Sequence, residues 1–492
     1  MTILEGSHTG VFDLPDGRKV FGVLEVEGRT SNLVLHDEHD FPPVPEAFRT
    51  LYGVLHDGTH VALVNCALLS INRKHTQSEK RFSAKIFPNT IVSGPRSIAS
   101  CSDQAISCAL LLSDVSSIFY AFDTFSTILD PSPFIPLLIA DKAHIRTPTL
   151  GNQPVIGYFN GLFEIAQAKT AIGVVTAKYR VNESMGGPHG WHVAGQIWVS
   201  IDFDDAVGMS EALHRSHVVA RFFDLLCGRK QELKDHEIRY ACQPGREESF
   251  NVYEAHAHRV SDAKEVELSG RRNPGPRDVL ICTADGSDSY ARVIERYIER
   301  DTSWGESRGR LRDGMGRGSY SIDRVVSAAN LFDILPASAV PGELLVSEEL
   351  QQATDCAKKL FKKLPESIER NSILSALGRV GKASLKQKVL YRMRLARLDD
   401  FFEDLSMVLQ EAVDCRNHYV HGSPAPIDYA NNFEAVVFLT DALEFVFGVS
   451  DLVECGWDLR SWIDENPQDD HPFGGFFLSY RQRLRRFKAL MP

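Results

Sequence analysis

Toward the end of a strongly helical stretch the chain reads Arg416-Asn417-His418-Tyr419-Val420-His421-Gly422-Ser423-Pro424. Arginine is a permanent cation whose planar fork grips a phosphate through two parallel hydrogen bonds. Histidine can take or give a proton near neutral pH, so it can serve a ribose hydroxyl or a leaving oxygen. Asn417 adds an uncharged donor and acceptor able to orient either. Brought together, these groups suit attack of a 2′-hydroxyl on its neighbouring phosphodiester. That reaction needs no metal and leaves a 2′,3′-cyclic phosphate and a 5′-hydroxyl. Arg416, His421 and Asn417 are therefore the candidate catalytic residues.

Such a trio needs a helix end to present it. Leu398, Phe401, Phe402, Leu405, Val408, Leu409 and Ala412 share one stripe of a helix expected over Asp399–Val420, and Arg416 continues that stripe. A guanidinium in line with a core-facing stripe needs a partner or an opening, because burying it unpaired is costly. Gly422 and Pro424 stop the helix, which leaves His421 at its end, free to swing toward Arg416. The structural alternative is that Arg416 caps the stripe through a salt bridge and His421 merely sits favourably on the helix dipole.

Further helices are expected at 323–335, 347–364, 367–377, 385–396, 432–446 and 479–490. Before them the pattern is that of strands, at 19–27, 31–36, 51–56, 59–64, 81–92, 171–180, 196–203, 248–254 and 278–283, with one clear helix at 210–226. Trp304–Gly318, rich in Gly and Arg, reads as a connector, since it lacks the spacing of a phosphate-binding loop. The expected architecture is α+β and multidomain. A β-rich, sandwich-like region spans 1–304, a linker 305–318, and an all-α helical bundle 319–492.

The formal charge of −11 and pI near 5.9 argue against indiscriminate coating of nucleic acid while leaving room for a local basic site. One candidate is the last stretch, where Arg481, Arg483, Arg485, Arg486 and Lys488 interleave with aromatics; it suits an RNA phosphate track or, equally, a docked tail with a solvated face. Nine scattered cysteines without a C-x-x-C fit a reducing compartment. The start of the chain lacks a signal-peptide pattern, and the longest apolar runs are far short of the roughly 20 residues that span a bilayer. A soluble cytoplasmic protein is expected, without membrane contact. His256-x-His258 and His189-x-x-His192 lack a third ligand at believable spacing, so neither a metal nor another cofactor is expected.

At the trio the sequence resembles a known family. R-N-x-x-x-H at a helix end inside an all-α region is similar to the R-x4-6-H signature of HEPN ribonucleases. The bare signature also matches Arg29–His36, Arg49–His56 and Arg229–His236, whereas the tighter form occurs only at Arg416. The N-terminal region resembles the leading domain of the ApeA group of anti-phage HEPN proteins. Gly10-Val11-Phe12-Asp13-Leu14-Pro15, Gly22-Val23-Leu24, Tyr52-Gly53, Val61–Asn65 and the run from Arg221 to Gly228 carry that likeness. The resemblance implies a bacterial defence ribonuclease working as a homodimer, with two copies of the Arg and His facing each other. It implies an RNA substrate and an N-terminal region that senses infection, through a phage-derived trigger, or restrains the nuclease; transfer RNA is one candidate substrate. The competing reading is a non-catalytic protein whose helical domain dimerises and whose β-domain recognises a protein or carbohydrate.

Overall fold

The computed structural model describes residues 4–42, 49–75, 80–97, 104–121, 123–146, 149–184, 190–241, 250–257, 274–283, 288–316, 318–342 and 346–491. Two compact units emerge. The first comprises 1–223, 231–276 and 281–295; the second comprises 224–230, 277–280 and 296–492.

Strand formation in the first unit follows from alternation. Lys19–Glu27 buries Val20, Gly22, Leu24 and Val26 and turns Phe21 and Glu25 outward, the mark of a strand with one wet face. Among the described residues fourteen strands form one antiparallel sheet. Its order runs Glu164–Thr170, Gly173–Glu183, Val193–Val207, Ala105–Leu112, Leu233–Ala241, Phe250–Ala257, Thr90–Gly94, His60–Val64, Thr50–Leu55, Gly6–Asp13, Lys19–Glu27, Thr30–Asp37, Lys80–Phe87 and Ala67–His75. Close packing requires the glycines at 22 and 53, because a Cβ on either would meet the ring of Phe12 at 2.8 or 2.5 Å. They form the seat for Phe12, which is fully buried in a core shared with Leu24, Leu35, Leu51, Leu63 and Ile86. Among the described residues α1 (Val115–Ile118), α2 (Ile135–Lys142), α3 (Met209–Cys227) as far as Phe223 and the start of the helix at Asp288–Glu299 belong to the same unit as the sheet.

Two strand expectations need correction. The run expected at 81–92 is two strands, Lys80–Phe87 and Thr90–Gly94, parted at Pro88, which has no N–H for a ladder. Asp278–Thr283 is not a strand. Val279, Leu280 and Ile281 are buried without a ladder, and a short apolar run alone cannot distinguish the two cases.

The rest of the chain is helical: α4 (Asp288–Glu299), α5 (Asp301–Gly316), α6 (Ile322–Asn330), α7 (Glu348–Lys362), α8 (Ile368–Leu377), α9 (Leu385–Leu395), α10 (Leu405–His421), α11 (Phe433–Glu454), α12 (Leu459–Asp464) and α13 (Pro472–Lys488). Helix α11 is mostly buried, Glu444 and Asp451 included, with α6, α9, α10 and α13 packed on it. Paired charges fix the register of these contacts. Arg324 of α6 grips Glu444 of α11 at 2.9 and 2.8 Å, and Arg392 of α9 reaches Ser450 and Glu454 at 3.0 and 2.6 Å.

The stretch expected to be a connector is instead α5. Its buried Arg308 holds Asp451 with two hydrogen bonds of 2.7 and 3.0 Å and donates to the Tyr297 carbonyl. Trp304 and Leu311 are buried beside it, so tertiary contacts override the glycines' poor helix propensity. The single helix expected over 399–420 is also interrupted. Arg397 and Asp404 adopt left-handed φ of 50° and 54°, so Leu398–Asp400 is a separate short turn and α10 begins only at Leu405.

Candidate active site

Helix α10 has two characters along its length. Leu405, Val408, Leu409, Ala412, Val413 and Cys415 are buried, and the inward-facing Glu411 accepts a hydrogen bond from Tyr429 in the segment that follows the helix. The last turn emerges from this core: Arg416 and Asn417 are half-buried and His421 is exposed. Gly422 then takes φ +67° and returns its N–H to the His418 carbonyl at 2.9 Å, ending the helix in a left-handed cap. A hydrogen bond of 2.8 Å between His418 Nδ1 and the Ser423 carbonyl ties the exit chain back.

This termination brings the expected trio together. Arg416 Nη1 donates to His421 Nε2 at 3.0 Å and to Asn417 Oδ1 at 3.1 Å. On its other side Arg416 donates from Nε and Nη2 to Asn330 Oδ1, at 3.3 and 3.1 Å. Every one of these partners is neutral, so the salt bridge of the structural alternative is absent from this group of contacts. Arginine has only donors, so His421 Nε2 must be the acceptor, its lone pair aimed at the guanidinium. Phosphate oxygens that captured the guanidinium would release that nitrogen as a base next to the bound phosphate.

Asn330 was not apparent in the sequence. It ends α6, and the Arg324–Glu444 pair anchors that helix on α11. The site opens into a groove of about 1010 Å³, lined by Arg416, Asn417 and His421 together with residues of the α8–α9 connection and the first turns of α9. A signal for this wall did exist: Arg379, Lys382, Lys386 and Lys388 form a basic run in the sequence shortly before α10.

The five basic residues near the C-terminus lie on α13, outside the residues that line the groove. Three are engaged by carboxylates: Arg483 with Asp441 at 2.7 Å, Lys488 with Asp404 and Glu403, and Arg486 with Glu434 at 3.8 Å. Arg481 and Arg485 are exposed. Phe473, Phe476, Tyr480 and Phe487 face inward, which gives the helix the character of a docked tail. Cys415, beside Arg416, is buried, and burial pushes its thiol up to about 12, so it is a packing residue. His256 lies 3.5 Å from Glu254, while His189 and His258 fall outside the described residues. Among the described residues no helix is long and apolar enough to cross a membrane.

Residues 7–267 match the family described as ApeA N-terminal domain 1, and residues 326–461 match the family described as Apea-like HEPN. The second match contains α10 and the last five residues of α6, hence Asn330 as well as the trio. The chain matches no curated protein and no solved structure.

Proposed function

The chain belongs to the ApeA-like HEPN proteins, and from that premise we propose that its helical half is a metal-independent endoribonuclease acting in anti-phage defence. HEPN domains are usually ribonucleases that dimerise and bind RNA, which supports the class. The observation that carries the mechanism is the 3.0 Å contact between Arg416 Nη1 and His421 Nε2 at the mouth of the groove.

In this reading Arg416 takes two oxygens of the scissile phosphate and neutralises the charge that builds on them during attack. His421, released from Arg416, removes the proton of the 2′-hydroxyl. The 2′-oxygen bonds to phosphorus and the bond from phosphorus to the 5′-oxygen breaks. A second acid must protonate that leaving oxygen, and the same histidine of a second copy supplies it in a homodimer. Asn417 holds the guanidinium from its own helix, and Asn330 from the neighbouring one. RNA is the substrate, with transfer RNA one class to try, and sensing of a phage-derived trigger belongs to the N-terminal unit. Exposed Arg481 and Arg485 on α13 are a secondary contribution to RNA affinity.

Purified wild-type protein is compared with Arg416→Ala and His421→Ala in an RNA cleavage assay. Loss of the proton-transfer group is expected to cost about 10²–10⁴-fold, and loss of the phosphate-binding cation about 10²–10³-fold. Cleavage that survives in both variants at the wild-type rate refutes the assignment.

A further inference from the structure

The wall of the groove contributed by the α8–α9 connection and the first turns of α9 carries charge that the reaction itself does not use. Among the described residues five cationic side chains line the groove, Arg379, Lys382, Lys386, Lys388 and Arg416, against a single anionic one, Asp333. That excess stands out on a chain whose net charge is −11. Two of the five are already committed: Lys386 to Asp414 at 2.6 Å and Lys388 to Asp333 at 3.0 Å. Arg379 and Lys382 are exposed and carry no ion pair among the described residues.

Their backbone is well held. Lys382 N–H bonds to the Arg379 carbonyl at 3.0 Å, and α9 opens with a reciprocal Ser384–Gln387 capping box. The first residues of α9 line the same groove, which adds the positive end of the helix dipole to that wall. Among the described residues no Phe, Tyr or Trp lines the groove, so none of them offers the ring stacking by which many proteins hold single-stranded bases.

Resting on the ribonuclease reading above, we propose that Arg379 and Lys382 bind the phosphates flanking the scissile one, so that the substrate is a single RNA strand gripped by its backbone with little regard to base identity. Both are positioning residues, since neither belongs to the reacting trio. The C-terminal helix is the poorer candidate for this track, because carboxylates engage most of its cations.

The test uses full-length protein and a mixed-sequence oligoribonucleotide methylated at every 2′-oxygen, which binds but cannot be cut. Affinity is measured over a range of salt concentrations. For a single strand, removing one cation–phosphate pairing should reduce the slope of log affinity against log salt by about 0.7, so the Arg379→Ala/Lys382→Ala variant should lose about 1.4. Arg379→Lys combined with Lys382→Arg should restore the slope, which repair of a merely structural role would not require. On cleavable RNA the double alanine variant should raise KM with kcat retained. Methylated homopolymers should differ in affinity by less than the roughly tenfold that one good base contact supplies. A wild-type slope in the double variant, no binding by the wild type, or a strong homopolymer preference overturns the proposal. The ribonuclease reading is judged separately, by whether unmodified RNA is cut in a manner dependent on His421.

Discussion

Arg416 is held without being neutralised. Its hydrogen bonds go to Asn330, Asn417 and His421, and an amide oxygen orients a guanidinium while leaving its charge for an incoming phosphate. A carboxylate in place of the Asn330 amide would compete with the substrate. Asn330→Asp is therefore expected to slow cleavage more than Asn330→Ala does. The alanine variant loses a hydrogen-bonded support of a charged group, with a fall of about tenfold. Steady-state cleavage by both variants checks the order; an aspartate variant as active as wild type would mean that Arg416 does not meet phosphate. The trio itself was legible in the sequence because its determinants are local: two residue types five apart and a Gly-Ser-Pro stop. Asn330 was not, because it meets Arg416 from 86 residues away and nothing near it in sequence marks the encounter.

The last turn of α10 sets the aim of His421, and Gly422 sets that turn. At φ +67° an added Cβ meets open space, so a substitution there costs backbone strain without a clash. Gly422→Ala is expected to lose about 1 kcal/mol of stability. Fraying of the turn should also reduce cleavage out of proportion to that loss. A thermal melt paired with a cleavage assay at a temperature where both proteins are fully folded separates the two effects; unchanged activity would mean that the cap is only structural. Other elements were harder to foresee. The Gly- and Arg-rich stretch at 305–318 has poor helix propensity, yet the Arg308–Asp451 pair and the buried Trp304 make it helical. The apolar stripe from 398 to 412 reads as one helix, but the left-handed residue at 404 divides it, and backbone sign does not show in a hydrophobic pattern. Some elements with one wet face, such as Lys19–Glu27 and Glu348–Lys362, were found close to their observed limits, because burial of alternate or every third or fourth residue leaves its period in the sequence, whereas Glu164–Thr170 and Asp288–Glu299 were missed.

Over the whole molecule, each unit buries a neutral histidine. His236 in the first unit has its pKa lowered to about 3 by burial, and His471 in the second to about 4. The unfolded chain takes up these protons near 6.5 and the folded one only far below, so the unfolded state binds more protons in between. Stability is therefore full above about pH 6.5 and falls as pH drops toward 4 in the second unit and toward 3 in the first. Urea unfolding across that range should show the loss, and His236→Gln should shrink it for the first unit; a variant with an unaltered pH dependence would contradict the assignment. The split into a strand-rich region followed by a helical one was legible from composition and period, whereas the short pieces at 224–230 and 277–280 that join the second unit depend on contacts remote in sequence. The activity expected of the molecule is most directly tested by the ends it leaves on RNA. The wild-type chain is incubated with RNA in excess chelator and the product termini are identified. Cyclic 2′,3′-phosphate and 5′-hydroxyl ends, formed as fast as without chelator, are the expected result. Ends bearing a 5′-phosphate and 3′-hydroxyl, or cleavage lost on chelation and restored by a divalent cation, would contradict metal-independent attack by the 2′-hydroxyl at Arg416 and His421.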